Sequence, residues 1–421
     1  MSKHVMVFGS GNGDLPSRIR ALEDGISTTL VCRLDHLHRL VEPEKHARLL
    51  VLDAEASPEE CVGLARVVHE VHPVTHIATL GEHDQDRAAA VGEALGISTH
   101  SQRTVRLATR KDAMRAVLSS NGLDDTPTQV VPDVEALREF AAWHGYPVVV
   151  KPVAGLASFG VSVVREEREL GPAFDKASTS ARHGWHRQLG VLAEGFLDGP
   201  EYSVEALSEA AEHVILAITK KYTDPATRVE LGHVVPAPLA DGVREQIERL
   251  TLGVLDALEV RFGATHTEIM VTAAGPRVVE THVRMGGDEI WELVHGATGV
   301  DLIDCQLRQS IGQKVLPHVR EVLAMPRPPR AEAIWFALPP PSGELIEVTG
   351  AEESGDAVVT VNVAPGASFH GQASNYSRPA SARCGADNAE EAVRLARERV
   401  GRISFVTSVS ALGLAAEADF Q

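Results

Sequence analysis

Short apolar runs alternate with amphipathic segments through the first hundred residues. Val5 to Phe8, Thr28 to Cys32, Leu49 to Leu52 and His76 to Leu80 read as strands. Pro16 to Asp24 and Asp84 to Leu95 read as helices, the second stopped by Gly96. Ser57 with Glu60 three residues on is the reciprocal side-chain pattern that caps a helix start. Strands alternating with helices predict a parallel, doubly wound sheet.

A second unit begins near Thr109. A helix is predicted from Lys111 to Ser120, ending at Asn121-Gly122, with an extended stretch after Pro127, a helix from Leu137 to His144 and a β-rich run from Tyr146 to Lys151. Val191 to Leu207 reads as strand, loop, strand. A helix from Val243 to Leu258 leads to strands Thr265 to Thr272 and Arg277 to Arg284. Pro317 to Pro329 reads as a connection. Beyond it lie strands around Ala333 to Leu338, Leu345 to Thr349 and Val358 to Val363, then a helix from Glu390 to Val400. The pattern divides the chain into 1–108, 109–197, 198–316 and 317–421, the last a C-terminal α+β region packed on the third.

Composition narrows the partners. The 421 residues carry 58 acidic against 40 basic side chains, a formal charge of −18. That sign argues against nucleic acid and membrane surfaces as partners, though local lysines and backbone amides can still make an anion site. Four dispersed cysteines without metal-ligand spacing, and a start that runs straight into a strand, predict a reduced cytoplasmic protein.

Only eight lysines occur, at 3, 45, 111, 151, 176, 220, 221 and 314. Lys151 closes the apolar run Val148-Val149-Val150 and precedes a loop rich in glycine, alanine and serine, from Gly155 to Gly160. A lysine at the end of a buried strand is costly unless it meets an anion, and such a loop can turn backbone N–H groups toward phosphate oxygens. A solvated strand end is the plain alternative. The lysine precedes the loop, so the segment is not a P-loop. Gly9-Ser10-Gly11-Asn12-Gly13, by contrast, lacks the dinucleotide spacing and reads as a tight strand-to-helix turn.

Ala273-Ala274-Gly275-Pro276 is a turn signal between two strands. A hairpin closing symmetrically about Ala274 sets Glu268 opposite Glu280, with His266, His282 and Arg284 on the same face and Ile269, Val278 and Val279 on a buried one. Opposed carboxylates repel unless a cation lies between them, and hard oxygen donors beside a phosphate site suit Mg²⁺, with Mn²⁺ as an alternative. A solvent-facing polar hairpin is the plain reading. The segment from Val191 to Glu205 offers backbone groups, Phe196 and carboxylates suited to adenine and ribose.

In this order the pieces resemble the ATP-grasp superfamily. The resemblance implies a pre-ATP-grasp α/β domain, then two α+β subdomains clasping ATP. By resemblance, Lys111 and Lys151 contact phosphates and Ser158-Phe159-Gly160 lies in the covering glycine loop. Glu194, Phe196 and Leu197 match the adenine hinge, Glu201 the ribose carboxylate, and Glu268 and Glu280 the Mg²⁺ ligands. His282, the third metal candidate by this resemblance, stands where the family usually has asparagine, and imidazole is a softer ligand than an amide oxygen. Arg284 matches an arginine that meets the transferring phosphate or the carboxylate.

Gly232 to Ala237, His266-Thr267-Glu268 and Arg284-Met285-Gly286-Gly287-Asp288 are similar to L-amino acid ligases of the bacilysin type and dapdiamide synthetase. The tail from Asn375 to Arg383 is similar as well. This implies a ligase that joins a small carboxylate to an amine in antibiotic-type metabolism, through an acyl phosphate with release of ADP and phosphate. A homodimer is left open. His233, Arg284, Gly287, Asp288 and Glu82 are then substrate-side candidates. An unpaired Asp288 is expected to meet a substrate ammonium group; alternatively it caps the helix that follows. A bicarbonate- or formate-activating enzyme, an inactive ATP-binding protein and a Rossmann oxidoreductase remain as other readings.

Overall fold

The computed structural model describes the chain except residues 1, 10–13, 80, 156–157, 184–188, 226, 353–356, 372–373 and 409–421. Ser10 to Gly13 of the glycine turn, Leu80, Leu156 and Ala157 thus lie outside the described residues.

Four parallel strands, β1 (His4–Phe8), β2 (Ser27–Arg33), β3 (Arg48–Leu52) and β4 (His76–Thr79), form a sheet in the order β3-β2-β1-β4. Alternation sends Met6 and Phe8 to one face, against Val68 of helix Pro58–Val71 and Val91 of helix Gln85–Leu95. Val5 and Val7 point to the other face, where Leu307 of helix Leu302–Ser310 joins the same apolar cluster. The first domain is thereby docked on a much later part of the chain. The expected capping box is present: Glu60 N–H donates to Ser57 Oγ (3.2 Å) and Ser57 N–H to Glu60 Oε2 (2.6 Å).

A second, antiparallel sheet contains β5 (Thr128–Val131), β6 (Val148–Pro152), β7 (Ser162–Val164) and β8 (Val191–Gly195), ordered β5-β8-β6-β7. Helices Val134–His144 and Leu170–His183 cover one face, with Leu137, Phe140 and Leu170 packed on Val148 and Val150. Val149 and Lys151, one residue out of phase, face the opposite way.

The remaining strands are β9 (Glu201–Glu209), β10 (Glu212–Thr223), β11 (Glu230–Val235), β12 (Phe262–Thr272), β13 (Gly275–His282) and β14 (Ala331–Phe336). After them come β15 (Gly343–Thr349), β16 (Val358–Val361), β17 (Ser368–Phe369), β18 (Ala380–Ala386) and β19 (Ser404–Thr407). Eight of these make one sheet in the order β13-β12-β9-β10-β11-β14-β18-β16, and β17-β15-β19 make a small one.

The C-terminal region continues the large sheet edge to edge, β14 pairing with β11. The predicted connection from Pro317 is corrected. Helix Leu316–Ala324 begins there, because proline at the first turn gives up no hydrogen bond the helix needs.

Candidate active site

A cleft of about 360 Å³ lies between the second sheet and the large sheet. Strands β12 and β13 set its floor. Glu268 and Glu280 are direct partners in that ladder, as expected, but the turn is not symmetric about Ala274. Thr272 pairs with Gly275, leaving Ala273-Ala274 as a two-residue turn, and a one-residue bulge at Val279 restores the opposition of the two glutamates. The bulge brings Val279 into the cleft lining, while Val278 is fully buried on the far face, its N–H held by Asp124 Oδ2 at 2.6 Å. The expectation of a buried Val279 is corrected accordingly.

Each glutamate has its own lysine. Lys221 Nζ lies 2.6 Å from Glu268 Oε1, and Lys111 Nζ 2.7 Å from Glu280 Oε2. Burial opposes ionisation of both carboxyls, but Lys221 brings Glu268 down to about 2, and Lys111 with His282 holds Glu280 well below the usual range. His266 joins Glu268 Oε1 (3.3 Å) to the fully buried Glu205 (2.9 Å); against the cost of burial, Glu205 lifts its pKa to about 9.

His282 bridges Glu280 (Nε2, 3.1 Å) and Glu82 (Nδ1, 3.1 Å), and Glu82 also accepts from Arg284 Nε at 2.7 Å. Glu82, from the turn after β4, thus enters the site as a partner of His282 and Arg284. Despite burial, they keep its carboxyl well below the ordinary range.

The phosphate candidates converge. Lys151 Nζ meets Glu194 Oε2 at 2.5 Å, and Lys111 Nζ donates to Gly155 O at 3.0 Å, at the start of the glycine loop. Arg115, one helical turn after Lys111, donates through Nε to Glu194 Oε1 (2.9 Å). Burial pushes the Lys151 pKa down, and Arg115 and Lys111 add to that effect while Glu194 opposes it. The Glu194 carboxyl is thus committed to these cations. Phe196 and Leu197 line the cleft beyond it, and Phe196 lies under the Arg228 guanidinium at 5.3 Å from its ring centre. Ser158 and Phe159 line the cleft, and Ser158 and Gly160 adopt left-handed backbone conformations. A Cβ at Gly160 would come within 2.7 Å of Ser180, so the loop needs glycine there.

At the far end, Lys221 is shared by Glu201 (3.0 Å), Glu230 (2.6 Å) and Glu268. His233 Nε2 lies 3.2 Å from Asp288 Oδ2 and 3.4 Å from Glu230 Oε2. Two expectations for Asp288 are corrected. Helix Ile290–Thr298 has Glu289 in the capping position and no side-chain cap, so Asp288 does not cap it. Nor is Asp288 unpaired. Arg378, 90 residues on, donates to its carboxylate with both guanidinium nitrogens, Nη1 at 2.9 Å.

All the residues singled out above line the cleft or contact residues that do: Glu82 does so through His282 and Arg284, His233 through Asp288, and Gly160 through the loop it shares with Phe159. Sequence reasoning missed Arg115, Lys221, Glu230 and Arg378. Lys111 and Arg115 are four residues apart on one predicted helix, a spacing that could have revealed Arg115. The Lys220-Lys221 pair in a strand had to send one lysine to each face.

The donor set fits a hard cation. Glu268 and Glu280 present ionised carboxylate oxygens from facing positions toward the same cleft as Lys111 and Lys151. Two other groups, Glu230-His233-Asp288 and Glu201-Glu230-Glu268, also bring ligand atoms within 4.8 Å. Arg378 and Lys221 are ion-paired within them, and the second group shares Glu268 with the facing pair.

The chain is similar to known proteins along much of its length. Residues 144–291 match the ATP-grasp domain, and residues 335–408 match L-amino acid ligase C-terminal domain 2. The crystal structure of L-amino acid ligase from Bacillus licheniformis superposes with a TM-score of 0.80 at 22% identity, covering 96% of this chain and 99% of that one. An uncharacterised protein of Sinorhizobium fredii is 33% identical over 48% of this chain and 42% of its own length. The L-arginine-specific L-amino acid ligase of Bacillus subtilis is 24% identical over 68% of this chain and 67% of its own. The match thus spans less than half of the Sinorhizobium relative. Residues 144–291 are thus similar to the ATP-grasp domain, and the chain shares the fold of the Bacillus licheniformis enzyme. Residues 335–408 are similar to the second C-terminal domain of the L-amino acid ligases.

Proposed function

We propose that the protein is an ATP-dependent carboxylate–amine ligase that joins two small substrates, at least one of them an amino acid, through an acyl phosphate. The observation that carries this reading is the opposition of Glu268 and Glu280 in one cleft with Lys111, Lys151 and Arg284. The C-terminal domain match and the L-amino acid ligases among its relatives favour an amide product over a carboxylation.

In this account Lys111 and Lys151 hold the nucleotide phosphates, and Phe196, Leu197 and Glu201 bind the base and ribose. Glu268 and Glu280 hold Mg²⁺, which supplies charge neutralisation at the phosphates. A substrate carboxylate oxygen attacks the γ-phosphorus and ADP leaves. The amine nitrogen then attacks the acyl carbon, inorganic phosphate leaves, and the nitrogen gives up a proton. Arg284 faces the oxygens on which charge develops. The loop carrying Ser158 to Gly160 excludes water from the activated acid.

The test is a matrix of carboxylic acids against amines with ATP and Mg²⁺, read by ADP, phosphate and amide product. ADP formation that needs an acid, with amide formed when the amine is present, supports the reading. Bicarbonate- or formate-dependent turnover with no response to amino acids overturns it.

A further inference from the structure

A second cavity, of about 250 Å³, opens off the cleft at Arg284, Gly287 and Tyr376, which line both spaces. It lies where the first domain meets the catalytic sheet. Leu15 and Glu82 come from the first domain, Met285 and Trp291 from the segment after β13, and Ile303 from the helix that docks the two.

Its chemistry is divided. Glu82 and Arg284 stand side by side at the end shared with the cleft, 2.7 Å apart and opposite in charge. The interior is walled by Leu15, Met285, Trp291 and Ile303. Gly286 has no room for a side chain, since a Cβ there would lie 2.7 Å from His266 Nδ1, whereas a Cβ at Gly287 would meet nothing within 4 Å. The bare backbone at 287 keeps the passage between the two spaces open. His83, also on the wall, has its pKa pushed down to about 4 by burial and stays neutral at neutral pH.

A carboxylate and an ammonium one carbon apart are the complement of an arginine and a glutamate held side by side. From that anchor the substituent on the same carbon reaches the apolar walls. A charged side chain there would be desolvated with no counter-charge to spare among the described lining residues, because Glu82 and Arg284 serve the backbone groups. We infer that the carboxylate-donating substrate is an α-amino acid with an apolar side chain of several carbons, seated in this second cavity. The inference rests on the ligase reading above and deepens it by naming the side-chain class.

The test uses the full chain with ATP, Mg²⁺ and hydroxylamine, which traps an activated acid as its hydroxamate whatever the natural amine is. Valine, leucine, methionine and phenylalanine are compared with aspartate, glutamate, lysine and glycine. Calorimetric binding of leucine and aspartate without turnover is measured in parallel. The expected result is a kcat/KM for the apolar set at least about tenfold above the charged set, about 1.4 kcal/mol, with leucine the tighter binder.

Ile303→Trp, which fills the cavity, should raise the KM for phenylalanine far more than that for valine. Ile303→Ala, which enlarges it, should shift preference toward phenylalanine and serves if the tryptophan variant does not fold. Preference for charged amino acids, or KM values that ignore both variants, overturns the inference and leaves the ligase reading intact. Hydroxamate formed only from acids without an amino group does the same. No ADP release with any acid fells the ligase reading itself, and this inference with it.

Discussion

Glu268 and Glu280 face each other across the β12–β13 ladder, and each carboxylate is held by a lysine from a different strand or helix. Lys221 comes from β10 and Lys111 from the start of helix Lys111–Ser120. Two like charges at paired positions are thereby kept ionised inside the protein, poised for a divalent cation.

Glu268→Gln and Glu280→Gln should each reduce kcat by about two orders of magnitude or more, the scale of losing one transition-state charge contact. Circular dichroism and gel filtration should stay those of the parent. Near-normal rates in both variants would leave the pair a polar hairpin face only.

Lys221 has a different signature. Its side chain is 2% exposed and pairs with Glu201, Glu230 and Glu268. Lys221→Met removes the cation that these three share and should cost ~3–5 kcal/mol, the range for breaking a buried ion pair. The loss is read as a lowered Tm in EDTA, and millimolar Mg²⁺ should restore part of it. A Tm within one degree of the parent would contradict the pairing.

Much of the frame was legible because its signals are local. The capping box at Ser57 and the helix from Lys111 to Ser120 follow from spacing within a few residues, whereas the facing of Glu268 and Glu280 was expected from a symmetric turn and holds only because a bulge offsets the shorter one. The bulge at Val279 was not legible, since nothing in Pro276 to Glu280 separates a three-residue loop from a two-residue turn plus a bulge. The partners of Asp288 and Glu82 were hidden for another reason. Arg378 reaches Asp288 across 90 residues and Arg284 reaches Glu82 across 202, distances that only the assembled sheets span. Periodicity also failed at β10 and β11, which carry mixed faces because one side packs on a core and the other lines a charged cleft.

His282 ties Glu280 to Glu82 through its two ring nitrogens. An asparagine amide is too short to make both contacts. His282→Asn should therefore keep ATP-dependent turnover at saturating acid while raising the acid KM roughly tenfold, the cost of about one hydrogen bond to a charged group. Equal changes in the ATP and acid KM values would show that the residue acts on the nucleotide instead.

Phe159 of the glycine loop stacks on Tyr376 of the C-terminal domain, ring centres 6.0 Å apart and planes 28° from parallel. Both rings are at the mouth of the cleft. An aromatic pair is worth about 0.5–1.5 kcal/mol, so Tyr376→Ala should reduce the closed population by roughly 2–10-fold. Water then competes for the activated acid. The ratio of ADP to amide should rise above one by a corresponding factor, while Tyr376→Phe stays near one. A ratio near one for the alanine variant would show that closure does not depend on this contact.

The central claim is transfer of the γ-phosphoryl group to a carboxylate, and the spent nucleotide reports it most directly. Chromatography of a complete reaction should find ADP and inorganic phosphate, formed only when an acid is present and equal in amount to the amide when the amine saturates. Acid-dependent AMP and pyrophosphate would place the chemistry at the α-phosphorus and contradict the account.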